Sequence, residues 1–200
     1  MFVSVSQYTL NKGSFESLLP FRFITPQKSL IELTSFEERT NSSAYLYLPL
    51  ARKIIDSAYG SFGSFPILGF IETYSGEEVE KVLNENHIHY RLHKKTQGTQ
   101  VFQVSLKSMY DLEVFFPIWA ESGTDSLYNA VTNEEEALGL CLDDLSIRIS
   151  EAAKSPTLCF SYDLQGLFIL GSSAWEDLRL IKDLFIKEEI EILDEINIIL

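Results

Sequence analysis

Two hundred residues with 46% hydrophobic and 12% aromatic content exclude an intrinsically disordered chain and suffice to bury a sizeable core. The 29 acidic residues against 16 basic ones give a formal net charge of -13, a field that repels nucleic-acid phosphates and anionic membranes. The same field suits solubility, as in many acidic bacterial proteins, or a basic protein partner drawn in electrostatically.

Cys141 and Cys159 are the only cysteines; they form no disulfide framework, fit no zinc-ligand spacing, and read as buried small hydrophobes in a reducing compartment. The amino-terminal residues show neither a basic n-region nor an apolar h-region. No stretch reaches the ~20 apolar residues that span a bilayer. The expectation is a cytoplasmic, soluble protein, in which the glycosylation-like triplet Asn41-Ser42-Ser43 has no role.

In chain order, residues 2–10 predict a strand with Val3 and Val5 on one face and Ser4 and Ser6 on the other. A turn at 11–13, a one-turn helix over 14–19 stopped by Pro20, and short strands over 21–24 and 30–33 follow. Residues 37–43 read as a surface loop, and 49–58 as a helix with Leu50, Ile54, Ile55 and Ala58 on one stripe. The glycine-rich stretch 59–64 is the best linker. The chain therefore reads as a single α+β domain over 1–200, with a sub-boundary at 59–64 separating 1–58 from 65–200.

The clearest unit spans 65–106. It predicts a strand over 66–74, a helix over 76–86 with Ser75 and Glu78 as a capping box, and a strand over 88–93. A basic turn at 94–98 and a strand over 100–106 complete it. Ser108 and Asp111 form another capping pair, opening a helix with Met109, Leu112, Phe115 and Phe116 that Pro117 is expected to end. A loop over 123–128 comes next, then a box at Thr132 and Glu135 that predicts the longest helix, 133–153, on the spacing of Leu138, Cys141, Leu142, Leu145, Ile149 and Ala152. A hairpin over 157–162 and 167–171 precedes a helix with Trp175, Leu178, Ile181, Leu184 and Phe185 on its stripe, capped by Ser173 and Glu176. Residues 188–200 fit a helix or a last strand equally.

The fold class is thus α+β: a mixed or antiparallel sheet with helices packed on it. Its centre is a βαββα unit of ferredoxin-like type, followed by a long helix, a β-hairpin and a C-terminal helix.

Two constellations stand out. His87, His89, Arg91 and His93 alternate along a predicted strand, which would put them on one face, roughly 6.5–7 Å between neighbours. Such a face is a candidate ligand or metal site, but Arg91 between the imidazoles, with Lys94 and Lys95 just beyond and no carboxylate beside them, suits a solvated basic strand better than a divalent ion. With Lys107 these residues form the one local cationic patch on an acidic chain. The second constellation is the carboxylate-rich tail, Glu188, Glu189, Glu191, Asp194 and Glu195, a candidate surface for a basic partner.

For catalysis the inventory is poor. Residues 60–64 lack the Gly-Lys-Ser/Thr ending of a phosphate loop, and no Gly-x-Ser-x-Gly elbow occurs. Asp143 and Asp144 have no partner acid at metal-binding spacing, and Cys159 sits in an apolar run without the cationic neighbours of a nucleophile. Neither a catalytic residue nor a resident metal or cofactor is expected.

The leading expectation is a non-enzymatic protein-binding module that neutralises a basic partner through its acidic surface. The hairpin and Ser173-Ala174-Trp175-Glu176-Asp177-Leu178, within residues 160–184, resemble the closing hairpin and helix of the SUKH-type immunity fold, whose amino-terminal hallmark is missing here. The resemblance implies an immunity or inhibitor protein. The alternatives are a small enzyme or ligand-binding protein with its site at the His87–His93 face, and a subunit of a larger assembly anchored by Tyr45, Tyr47, Phe62 and Phe65.

Overall fold

The computed structural model describes residues 2–9, 23–24, 29–36, 53, 66–94, 98–125, 129–133, 137–141, 146–149, 156–160, 166–170, 179–187 and 189–199. The helix expected over 49–58 is represented there by Lys53 alone, which is helical. The expected turn at 11–13, helix over 14–19, loop over 37–43 and linker at 59–64 lie outside the described residues, as do Ser173, Trp175 and Glu176.

Among the described residues the chain builds a nine-stranded, mostly antiparallel sheet with three helices of nine residues or more. The strands are β1 (Phe2–Thr9), β3 (Ser29–Phe36), β4 (Ile67–Thr73), β5 (His89–Lys94), β6 (Gln100–Leu106), β7 (Asn129–Asn133), β10 (Thr157–Phe160), β11 (Leu167–Leu170) and β12 (Glu191–Ile199). Their order across the sheet is β12-β1-β3-β11-β10-β7-β4-β6-β5. A separate sheet joins β2 (Phe23–Ile24), β9 (Ser146–Ile149) and β8 (Ala137–Cys141), with β9 in the middle. The helices are α1 (Gly76–Glu85), α2 (Met109–Thr124) and α3 (Arg179–Lys187).

β4 has the sequence of a central strand: Ile67-Leu68-Gly69-Phe70-Ile71 is an unbroken apolar run, and every residue of the strand is buried. It pairs with β6 on one side and β7 on the other. Ile67, Gly69 and Ile71 face α2, and Gly69 lets that helix come close: a methyl group there would collide with the Phe115 ring. Val79 and Leu83 of α1, Leu112, Phe115 and Trp119 of α2, and Ile181, Leu184 and Phe185 of α3 join Phe102, Val104, Leu158, Ile169, Leu33 and Val5 in one core on this side of the sheet. The middle of the opposite face is buried too, at Leu30, Phe70, Ala130, Cys159, Phe168 and Leu170.

Asn129, Thr132 and Thr157 are matched inside this core. Asn129 Oδ1 accepts from Trp119 Nε1 at 3.1 Å and from the Phe160 amide at 2.7 Å, while its Nδ2 donates to the Phe160 carbonyl. Trp119 packs on Phe160 with ring centroids 4.4 Å apart and planes tilted by 40°. On the other face the Thr132 and Thr157 hydroxyls bond to each other at 2.9 Å.

Several expectations are corrected. The long helix over 133–153 is not formed: Thr132 and Asn133 belong to β7, and 137–141 and 146–149 are strands. Gly139 breaks the helical stripe, and Ile147-Arg148-Ile149 alternates with period two, as a β-branched strand does. Thr132 spends its hydroxyl on Thr157 instead of capping a helix. α2 runs through Pro117 to Thr124, because packing of Ile118, Trp119 and Ala120 outweighs one lost backbone bond, so Gly123 and Thr124 are helical and not loop. Ser75 caps α1 by position but makes no side-chain cap bond; its hydroxyl turns to Glu121 Oε1 at 3.5 Å. The Ser108 pair does form: Ser108 Oγ accepts from the Asp111 amide at 3.2 Å, and Asp111 Oδ2 from the Lys107 amide at 2.7 Å.

Candidate functional site: the two edges of the sheet

Both edge strands of the large sheet are launched in the same way. At the end of α1, the Ile88 amide donates to the Leu83 carbonyl at 2.9 Å and the His87 amide to the Asn84 carbonyl at 3.1 Å, with His87 left-handed at φ 56°. At the end of α3, the Ile190 amide donates to the Phe185 carbonyl at 2.8 Å and the Glu189 amide to the Ile186 carbonyl at 3.3 Å, with Glu189 at φ 54°. Each is a Schellman turn closed by a buried isoleucine. Each delivers the chain directly into an edge strand, β5 in the first case and β12 in the second.

The tail whose form the sequence left open is therefore strand β12, parallel to β1, with a register shift beside Val3 and Ser4. Of the expected acidic residues, Glu189 is an exposed turn residue and Asp194 lies in β12, while Glu191 and Glu195 are exposed on that strand. Glu188 lies outside the described residues. Lys182 of α3 meets Glu195 Oε2 at 2.6 Å, a half-exposed pair worth about 0.2–1 kcal/mol. Ile196 is 51% exposed on the face away from the helices. On that same face Tyr8 donates to Glu32 Oε2 at 2.7 Å; burial, and then the bond to Glu32, push the phenol up to about 12. No strand covers the outer side of β12 among the described residues.

The opposite edge, β5, carries the histidine run, and His89, Arg91 and His93 share one face of it without His87. His87 is in the turn and not in the strand. His89 and Arg91 are exposed together, while His93, expected to be wet, is 7% exposed. His93 pairs in register with Val101, and its Nε2 has no partner. Burial first, then the Arg91 guanidinium, lowers its pKa, so this imidazole favours the neutral form. Tyr90 and Leu92, on the helix side, are half-buried as the alternation predicts, and Tyr90 packs against Phe102 with centroids 5.7 Å apart.

Two hollows were not visible in the sequence. One, of about 310 Å³, lies at the start of α1 between Tyr74, Ser75, Glu77, Glu78, Gly98 and Gln100. Gln100 Oε1 is buried there without a partner, so close to Gly76 that a side chain at that position would have to displace the Gln100 amide. The other, of about 240 Å³, is an apolar cleft along α2 formed by Met109, Leu112, Glu113, Phe116 and Pro117.

Cys159 is wholly buried, and burial pushes its thiol well up, the reverse of what a nucleophile needs. Among the described residues no three His, Cys, Asp or Glu side chains come close enough to share a metal ion. No helix among them is long and apolar enough to cross a membrane. Asp143 and Asp144, and Tyr45, Tyr47, Phe62, Phe65 and Lys95, lie outside the described residues. Comparisons with protein-family models, curated proteins and solved structures find no match to this chain.

Proposed function

We propose that the chain is a non-enzymatic protein-binding module of the immunity or inhibitor type, which presents β12 to a basic partner. The observation that supports this most is an edge strand nine residues long, with Glu191 and Glu195 exposed and its outer side uncovered among the described residues. A partner segment can add to such an edge through main-chain hydrogen bonds, while the carboxylates select positive charge. The net charge of -13 steers a cationic protein toward it and keeps nucleic acid away. The β10–β11 hairpin and α3 are the parts of the immunity-fold resemblance that fall within the described residues. A cytoplasmic location goes with this reading.

The finer fold assignment belongs to the same proposal. We read residues 67–133 as a ferredoxin-like βαββαβ unit. In its favour, β7-β4-β6-β5 is the order fourth, first, third, second within the segment, all antiparallel, with α1 and α2 on one face.

Affinity capture from the native host at low and moderate salt tests the binding reading. The expected result is one basic protein recovered in near-equal amount, weakened by salt, and lost from the Glu191→Lys variant. A partner retained equally by that variant, or none at any salt, overturns it.

A further inference from the structure

Among the described residues, the two edge strands of the sheet are opposite in charge. β5 reads His89-Tyr90-Arg91-Leu92-His93-Lys94, with no acidic residue, and exposes Arg91 and His89. β12 contains Glu191, Asp194 and Glu195, with no basic residue, and exposes Glu191 and Glu195. Their directions are opposite as well. Seven of the eight pairings across the sheet are antiparallel and one is parallel, so β5 and β12 run against each other.

We propose that the partner of the β12 edge is β5 of a second copy of this chain. This rests on the reading of β12 as an acidic docking edge alone, and it puts the locally basic β5 of a second copy in place of a separate basic protein, so capture of this chain with no basic protein is the outcome it expects. Because the edges run oppositely, a copy placed beside another in the same orientation brings β5 against β12 antiparallel, the more stable way to pair strands. The three helices of each copy stay on the same side, so the helix layer continues with the sheet. Arg91 of one copy then lies beside the acidic strand of the next, where opposite charges favour pairing and like charges oppose it.

The contact is heterologous: it uses two different surfaces and leaves one free edge of each kind at the ends, so it grows into a ring or an open row. A symmetric β12–β12 pair would bring an acidic strand against an acidic strand; a β5–β5 pair would bring two basic strands together. Charge thus selects the head-to-tail arrangement. The net charge of -13 opposes any approach of two copies at long range. At physiological salt the Debye length of ~8 Å screens that repulsion and leaves the contact pairs at the edge in force.

Sedimentation velocity on the purified chain at physiological salt, over a hundredfold range of concentration, tests this with two variants. Arg91→Glu disables the basic edge, and Glu191→Lys the acidic one. The wild type is expected to associate with concentration, and each variant alone to stay monomeric. An equimolar mixture of the two variants is expected to give a 1:1 dimer that grows no further, since each retains one working edge. A wild type monomeric throughout, variants that associate as it does, or a mixture that stays monomeric would each overturn the proposal. A monomeric wild type whose captured basic partner is lost on Glu191→Lys removes the second copy as occupant and leaves the docking edge standing. A monomeric wild type whose partner survives that substitution removes both.

Discussion

Ile88 and Ile190 occupy the same position in two copies of one turn. Each donates its amide to the carbonyl five residues back, is buried against the core, and is the last residue before an edge strand. The residue before each is left-handed and is not glycine: His87 in one case, Glu189 in the other. Both were candidate binding residues, and both hold a position set by backbone geometry. A non-glycine residue there costs about 1–2 kcal/mol. His87→Gly and Glu189→Gly are therefore expected to leave stability unchanged or raise it by up to ~1 kcal/mol. Ile88→Ala and Ile190→Ala should each cost about 2–4 kcal/mol, because a buried side chain is removed. Urea denaturation of the four variants checks the contrast; equal losses in all of them would sink this account of the turns.

His93 makes stability depend on pH. Its folded pKa lies below the ordinary 6.5, so as pH falls through that value the unfolded chain takes up a proton that the folded chain resists. Stability is complete above about pH 6.5 and declines below it, until the folded imidazole itself titrates. Denaturation midpoints between pH 7.5 and 5.5 should fall for the wild type and fall less for His93→Phe.

Asn129 satisfies three groups at once, Trp119 Nε1 and both backbone groups of Phe160. Asn129→Ala would leave them buried without partners, at about 1–3 kcal/mol each, so a loss of at least ~3 kcal/mol is expected in urea. A loss below ~1 kcal/mol would mean that these bonds are not what joins α2 to β7 and β10.

Gly69 and Phe115 test the closeness of α2 to the sheet. Gly69→Ala should cost about 1–3 kcal/mol by overpacking against the ring. In the background of Phe115→Leu, itself destabilising, the added methyl should cost clearly less, giving a coupling of ~1 kcal/mol or more in a double-mutant cycle. Independent, additive losses would contradict the contact.

How much was legible in the chain follows from what its residues signal locally. The strands β4, β5 and β6, helix α1 and the start of α2 were readable, because Ile67 to Ile71 is apolar without interruption and Tyr90, Leu92, Phe102 and Val104 alternate cleanly. The β10–β11 hairpin was readable for the same reason. The segment over 137–149 misled, since Leu138, Cys141, Leu142 and Leu145 satisfy a helical period while their neighbours satisfy a strand. Only the pairing of β9 with its neighbour β8 and with the distant β2 decides between them. The edges were half-legible. Their charges were visible, but not that both are edges: His87 and Glu189 do not announce a left-handed turn as glycine would, and the partner of β12 lies at the far end of the sequence. Burial of His93 was hidden because alternation placed it beside the exposed His89 and Arg91.

The parallel pairing of β1 with β12 has a consequence for biosynthesis. β1 leaves the ribosome early, with Val5 destined for full burial, yet its neighbour on one side is the last strand of the described chain. At roughly 5–20 residues per second, that flank of β1 waits on the order of ten seconds or more for its partner to be made. During that interval the nascent sheet ends on β1 and not on the acidic strand, so it lacks the carboxylates that later guard this side. A chaperone that engages the nascent chain would be expected to hold β1 until α3 and β12 arrive together.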